Sequence, residues 1–307
     1  MLHIGLNKEL EMKTNNVVHG LPINGKHNDR PAIESLAGGS FLASYWYARP
    51  GCNKIGKQVD QAINLVGENE IFFLDNGAFT AFKNGISIAD DAAYLDGYFD
   101  WASDVLNRCP QAVAIIPDVI DGDTSDNRRM ISEAIGSGID TERLVPVWHL
   151  HEDFDYLEYL VENFNHIAIG SSGDYWKVNS EDWKCRIAKM FGFLDGLFED
   201  DEFAAAYVAP RIHMLRGIAV MDAWQFDSAD SVNIAVNHNA QKKRGEDLDA
   251  FRARVESKAK DGEGYGDAKL GTIAEISEEI AAWKLARIAE RDAVPAEDNI
   301  VIFKVAA

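Results

Sequence analysis

Cysteine is scarce in this 307-residue chain, and the three present, Cys52, Cys109 and Cys185, are odd in number and far apart. That spacing gives neither a disulfide framework nor a CxxC zinc pattern, so all three read as free thiols. Long apolar runs are also missing. No stretch approaches the roughly 18 to 20 uninterrupted apolar residues of a membrane helix, and the opening residues to Asn16 are polar with no signal-peptide core. The expected location is the cytoplasm. Positive charge is in deficit too: 30 Lys and Arg against 50 Asp and Glu leave a formal net charge of −20. A chain so acidic does not coat nucleic acid by bulk charge, because phosphate contacts come from Lys and Arg.

One local exception stands out. Lys242, Lys243 and Arg244, followed by Arg252, Arg254, Lys258 and Lys260, form a basic stretch within the acidic chain. A run of this kind reads as a solvated helix face, or as a contact to a nucleic-acid backbone.

Also absent are internal repeats, low-complexity tracts and Pro/Ser-rich linkers, so residues 36–307 read as one catalytic domain. Residues 1–35, polar and rich in Asn, Gly and His, read as an arm or irregular cover. The 47% hydrophobic content is ample for a core. Short apolar runs at 41–46, 71–74, 112–117, 144–148, 166–169, 212–215 and 224–229, with 300–305 as a candidate eighth, predict strands. Helical periodicity falls between them at 90–107, 125–135, 154–163 and 180–197, and again at 273–289. This alternation predicts an α/β fold, and its count matches a (β/α)8 TIM-type barrel. No GxGxxG turn follows the first run, which disfavours a dinucleotide-binding sheet.

In such a barrel the active site lies at the C-terminal ends of the strands. Polar residues follow the apolar runs there: Asp75-Asn76-Gly77-Ala78-Phe79, Asp118, His149-Leu150-His151-Glu152, Gly170-Ser171-Ser172-Gly173, Arg216-Gly217 and Asp230. An Asp after a strand is commonly a helix cap, the role assigned to Asp123 and Asp126. Several converging carboxylates suit glycosyl chemistry, in which one attacks or stabilises C1′ and another handles protons. No metal or cofactor is required. His149 and His151 support a rival reading, a metal-dependent hydrolase with Asp230 as a further ligand. Phe79, Phe82, Trp148, Tyr175 and Trp176, with Tyr45, Trp46 and Tyr47, lie near the same ends and could stack a flipped base or pack the core.

Taken in order, these segments resemble the tRNA-guanine transglycosylase superfamily, in its phage and prophage DNA-acting branch. Asp75-Asn76-Gly77-Ala78-Phe79 is similar to its DSGGF-type motif, and Ile116-Pro117-Asp118 to its base-recognising segment. The segments from Val145 to His149, from Ile167 to Tyr175 and from His213 to Gly217 are similar to others in that branch. The resemblance implies that Asp75 is an acid/base or positioning carboxylate, that Asp118 reads the base, and that the Gly170 loop with Ser171, Ser172 and Tyr175 faces the substrate. His149, Phe79 and Arg216 join that expected surface. A late aspartate is the implied nucleophile. Aligning Phe226-Asp227 favours Asp227; aligning the segment from Ser228 to Asn233 favours Asp230, which is preferred because strand alternation turns Ser228 and Asp230 inward together. The family's CxCxxC…H zinc subdomain is absent, since no cysteine follows Cys185. The expected substrate is therefore DNA, with excision of a base, possible anti-phage action, or exchange for a 7-deazaguanine as the outcomes.

Overall fold

The computed structural model describes residues 16–23, 30–52, 55–221, 223–224, 226–237 and 245–260. Nine strand segments form one parallel sheet: β1 (Asn16–Leu21), β2 (Ser40–Ser44), β3 (Phe72–Asp75), β4 (Ala112–Ile115), β5 (Leu144–Val145), β6 (Val147–His149), β7 (His166–Gly170), β8 (Arg211–Met214) and β9 (Ser228–Ser231). Their order is β5-β4-β3-β2-β1-β9-β8-β7-β6. The two end members, β5 and β6, are separated only by Pro146, which has no N–H to donate and so interrupts the ladder. Hydrogen bonds continue on both sides of the break, from Ile116 N–H to Val145 O at 2.8 Å and from Ala168 N–H to Pro146 O at 2.9 Å. The sheet therefore returns on itself as an α/β barrel.

Strand alternation divides the core in two. Val18, Leu42, Phe73, Ile115, Val145, Val147 and Ala168 cluster together and form the inner core of the barrel. Their neighbours, among them Phe41, Phe72, Leu74, Ala114, Ile167 and Ile169, pack outward against the helices. Helices expected from periodicity appear at Ala92–Arg108, Thr124–Gly136, Phe154–Asn163 and Glu181–Phe198. Asp123 and Asp126 close a reciprocal capping box on the second of these.

Two expectations change. The segment read as an irregular arm supplies β1, paired with β2 on one side and β9 on the other. Its sequence, Asn16-Val-Val-His-Gly-Leu, hid the strand because His19 interrupts the apolar run. His19 is nevertheless buried, with Nε2 3.0 Å from Glu256 Oε1 on the helix Leu248–Ser257. The last strand is also shifted to Ser228–Ser231, with Trp224 and Phe226 buried ahead of it. The runs at 273–289 and 300–305 lie outside the described residues.

Candidate active site

β3 delivers Asp75 to the C-terminal end of the barrel, and the chain then turns through Gly77 at φ +84°. A side chain at position 77 would be strained there and would meet Tyr94 Oη at 2.8 Å. The turn lets Gly77 N–H donate to Asp75 Oδ2 at 3.1 Å. Burial raises the Asp75 carboxyl to about 6, and the charges of Asp118 and Asp230 push in the same direction. The Ser44 hydroxyl and Gly77 N–H oppose them. The three aspartates expected at the mouth thus lie within electrostatic reach of one another.

Asp118 is clamped on both oxygens. Asn76 Nδ2 donates to Oδ1 at 3.0 Å, and His149 Nε2 lies 3.0 Å from Oδ2. Behind His149 stands Glu152, whose Oε2 accepts the His149 backbone N–H at 2.7 Å and lies 3.5 Å from Nδ1. Asn127 Nδ2 donates to Glu152 Oε1 at 2.9 Å, and Asn127 Oδ1 accepts Val119 N–H at 2.8 Å. Burial acts to lower the His149 pKa, but hydrogen bonds and charge from Asp118 and Glu152 outweigh it and raise the ring to about 9. His149 is therefore an imidazolium held between two carboxylates.

Gly170 has a local reason that the sequence did not disclose. A Cβ there would lie 2.8 Å from His149 Cδ2, so only glycine leaves a slot for the ring. The rest of that loop also serves the protein. Ser171 Oγ accepts from Trp183 Nε1 at 3.0 Å, Ser172 Oγ lies 2.7 Å from His151 Nδ1, and Tyr175 packs partly buried near the Arg186 guanidinium. His151 Nε2 lies 3.0 Å from Gly122 O. Both ring nitrogens of His149 and of His151 thus have protein neighbours, and no group of three His, Cys, Asp or Glu among the described residues is arranged to hold a metal ion.

Asp230, on β9, is buried. Its Oδ1 accepts the Arg216 backbone N–H at 2.5 Å and lies 3.6 Å from His213 Nε2. Arg216 adopts φ +58°, a left-handed conformation that a non-glycine residue seldom takes. Its guanidinium stacks 3.4 Å above the Phe79 ring. Burial lowers the Arg216 pKa, while Asp230, Asp75 and Asp118 hold its charge against that. Asp227 is elsewhere: its Oδ2 accepts Ile212 N–H at 2.7 Å, at the opposite, N-terminal end of β8. The late aspartate at the mouth is Asp230.

No protein-family model and no curated protein sequence matches this chain.

Beside Asp118 opens a cavity of about 280 Å³, walled by Ala78, Phe82, Ile86, Ile88, Val119 and Ile120. It is apolar apart from Asp118, Asp121 and Ser87 and has room for a planar heterocycle. A larger cavity of about 750 Å³ lies between the helices Ala92–Arg108 and Thr124–Gly136, on the outer wall and away from the three aspartates. Of the expected aromatics, Phe79 and Phe82 are exposed, whereas Trp148 is buried and stacks on Phe154. Asn76, Asn127, Glu152 and His213 complete the site; their polarity at or behind strand ends was the available signal. Lys242, Lys243 and Arg244 lie outside the described residues. Arg252 and Arg254 of the same basic stretch bond to Glu256 and Glu246.

Proposed function

We propose that this chain breaks the N-glycosidic bond of a nucleobase flipped out of DNA. The observation that carries the proposal is the pairing at one mouth of Asp230, buried and fixed by Arg216 N–H, with Asp75, raised to about 6. Two carboxylates whose surroundings set them apart can divide nucleophile and acid roles between them.

The flipped base enters the cavity beside Asp118, with Phe82 along its wall. Asp118, flanked by the His149 cation, presents acceptor oxygens and matches a base edge that offers N–H donors, as a guanine-type base does. Asp230 forms a bond to C1′ as the bond from C1′ to the base nitrogen breaks. The electron pair of the breaking bond passes to the base, and Asp75 supplies the proton that makes the base neutral. Water then attacks C1′, returns one proton to Asp75, releases Asp230 and leaves an abasic site. An incoming base in place of water gives exchange instead. The residue types and their order along the barrel support this reading through their resemblance to the DNA-acting transglycosylases. Lys242, Lys243 and Arg244 supply phosphate contacts in this scheme.

The test is incubation with modified and unmodified phage DNA, followed by mass spectrometry of released bases. Wild type releases a base, and Asp230→Asn lowers the rate by about a thousandfold or more, in keeping with loss of a covalent nucleophile. Failure to release a base from any DNA, together with no exchange with added deazaguanine, would sink the proposal. Loss of activity in Asp227→Ala with Asp230→Asn active would reassign the nucleophile.

A further inference from the structure

Behind Asp230 lies a buried histidine that the reaction scheme above leaves unused. His213 is fully buried on β8, and its neighbours face it from two other strands. Phe73 of β3 packs on its ring with centroids 4.1 Å apart. Ser228 of β9 places Oγ 2.8 Å from Nδ1. Asp230, two residues along the same strand, places Oδ1 3.6 Å from Nε2. Nε2 has no hydrogen-bond partner within normal range among the described residues. A buried polar nitrogen without a partner is uncommon in a native protein and invites a functional explanation.

The tautomer follows from electrostatics. A neutral imidazole carries one proton, and a lone pair on Nε2 pointing at a carboxylate would be repelled, whereas an N–H there is attracted. Ser228 can donate its hydroxyl hydrogen to Nδ1, which leaves the ring proton on Nε2. His166, the other histidine packed against Phe73, adds no competing charge, because burial, with the Arg211 charge beside it, pushes its pKa well below the ordinary value.

We infer that His213, with its tautomer set by Ser228, is a positioning residue for Asp230: its Nε2–H is the second donor to Oδ1, beside Arg216 N–H, and directs Oδ2 at C1′. This deepens the glycosidic reading and rests on it. A shift of a few tenths of an ångström along β9 brings 3.6 Å within hydrogen-bond range, so the contact tightens as Asp230 engages the sugar. In the covalent intermediate one Asp230 oxygen is bonded to C1′ and the other becomes an ester carbonyl. Two fixed donors on that second oxygen stabilise the developing acyl group and improve Asp230 as a leaving group in the water step.

Nitrogen-15 NMR of the full chain, labelled in histidine and assigned with His213→Gln, reads the tautomer without any substrate. The expected result is a proton on Nε2, with Ser228→Ala spreading the proton over both nitrogens. A proton on Nδ1 in the wild type would overturn the inference, whatever the enzyme does to DNA. Kinetics supply the second reading. His213→Phe should lower kcat for base release by about tenfold to a hundredfold with KM within about twofold, as removal of one fixed donor does. His213→Gln, which keeps an N–H near the Nε2 position, should recover part of that loss, and Ser228→Ala should fall between them. A folded His213→Phe that matches wild type, or a Gln variant no better than Phe, also counts against the inference. Wild type that releases no base condemns the glycosidic reading instead, while the tautomer result stands.

Discussion

Asp75 keeps its proton to about pH 6, first because burial penalises the anion and then because the charges of Asp118 and Asp230 act in the same direction. Two consequences differ in sign from those of an ordinary surface aspartate. In the unfolded chain the group ionises at the usual value of 3.8, so the folded state binds the proton more tightly. The stabilising contribution is complete below about pH 4 and is lost as pH rises from about 4 to about 6. Asp75→Asn should therefore be more stable than wild type at neutral pH, with the difference vanishing near pH 4; urea denaturation at both values reads it. In the proposed reaction the protonated form is the acid, so kcat/KM for base release should decline above about pH 6, and Asp75→Asn should flatten that limb while lowering the rate. Gly170 is a test of a different kind. A methyl group there would press on the His149 ring, and Gly170→Ala should lose roughly 1 to 3 kcal/mol of stability in denaturant titration, the penalty of overpacking. Asp75, Asp118 and Asp230 were legible because each directly ends or follows an apolar run. The roles of Asn127 and His213 were not, since both lie behind the mouth and act through neighbours distant in sequence. Asp227 and Asp230 stand as rival readings in the sequence because no apolar run marks where β9 begins; in the structure Asp227 meets the N-terminal end of β8 and Asp230 stands at the mouth.

Among elements, β1 shows how a short strand can be concealed. Within six residues it carries an asparagine, a histidine and a glycine, and its apolar signal is weak. What makes it a strand is distant: β2 and β9 hold both of its edges, and Glu256 meets His19 on its outer face. Glu256 also accepts from Arg252 Nε at 2.6 Å, and Arg252 reaches the carbonyls of Ser35 and Ala37. The helix Leu248–Ser257 is thereby tied to the first βα unit. Burial acts to raise the Glu256 pKa, but His19 and Arg252 together hold it below the usual 4.5. Its contribution is thus present at neutral pH and fades as pH falls below about 4.5. Glu256→Ala should destabilise the protein by roughly 1 to 3 kcal/mol, the usual penalty of stranding a buried polar partner, and the loss should shrink in acid. A lowered thermal midpoint at neutral pH and a smaller difference near pH 3.5 would bear this out; equal midpoints at neutral pH would refute it. Strands from Phe41 onward and the four long helices between them were legible because period-2 and period-3.6 patterns survive where one face is buried.

For the whole molecule, a net charge of −20 sets the terms of the proposed contact with DNA. Self-repulsion opposes the compact state, and counterions relieve it. Raising sodium chloride from about 10 mM to about 150 mM should raise the thermal midpoint, while weakening DNA binding with a shallow logarithmic slope that corresponds to a few phosphates. A steep slope, equivalent to eight or more phosphate contacts, would contradict a surface with this charge. The α/β barrel itself was legible from the alternation of runs, although β1, which pairs with both β2 and β9, was not among the expected strands.

That placement also governs when the fold can form. β1 precedes every other described strand in the chain, yet one of its two edges belongs to β9, which ends at Ser231. Until that residue has been synthesised, the nascent sheet is an open ribbon with β1 exposed along one side, and Asp230 has not yet joined Asp75 and Asp118. Closure of the ring and assembly of the proposed site are thus one event that waits for β9, and a chain interrupted before Ser228 carries most of the barrel with none of the proposed chemistry.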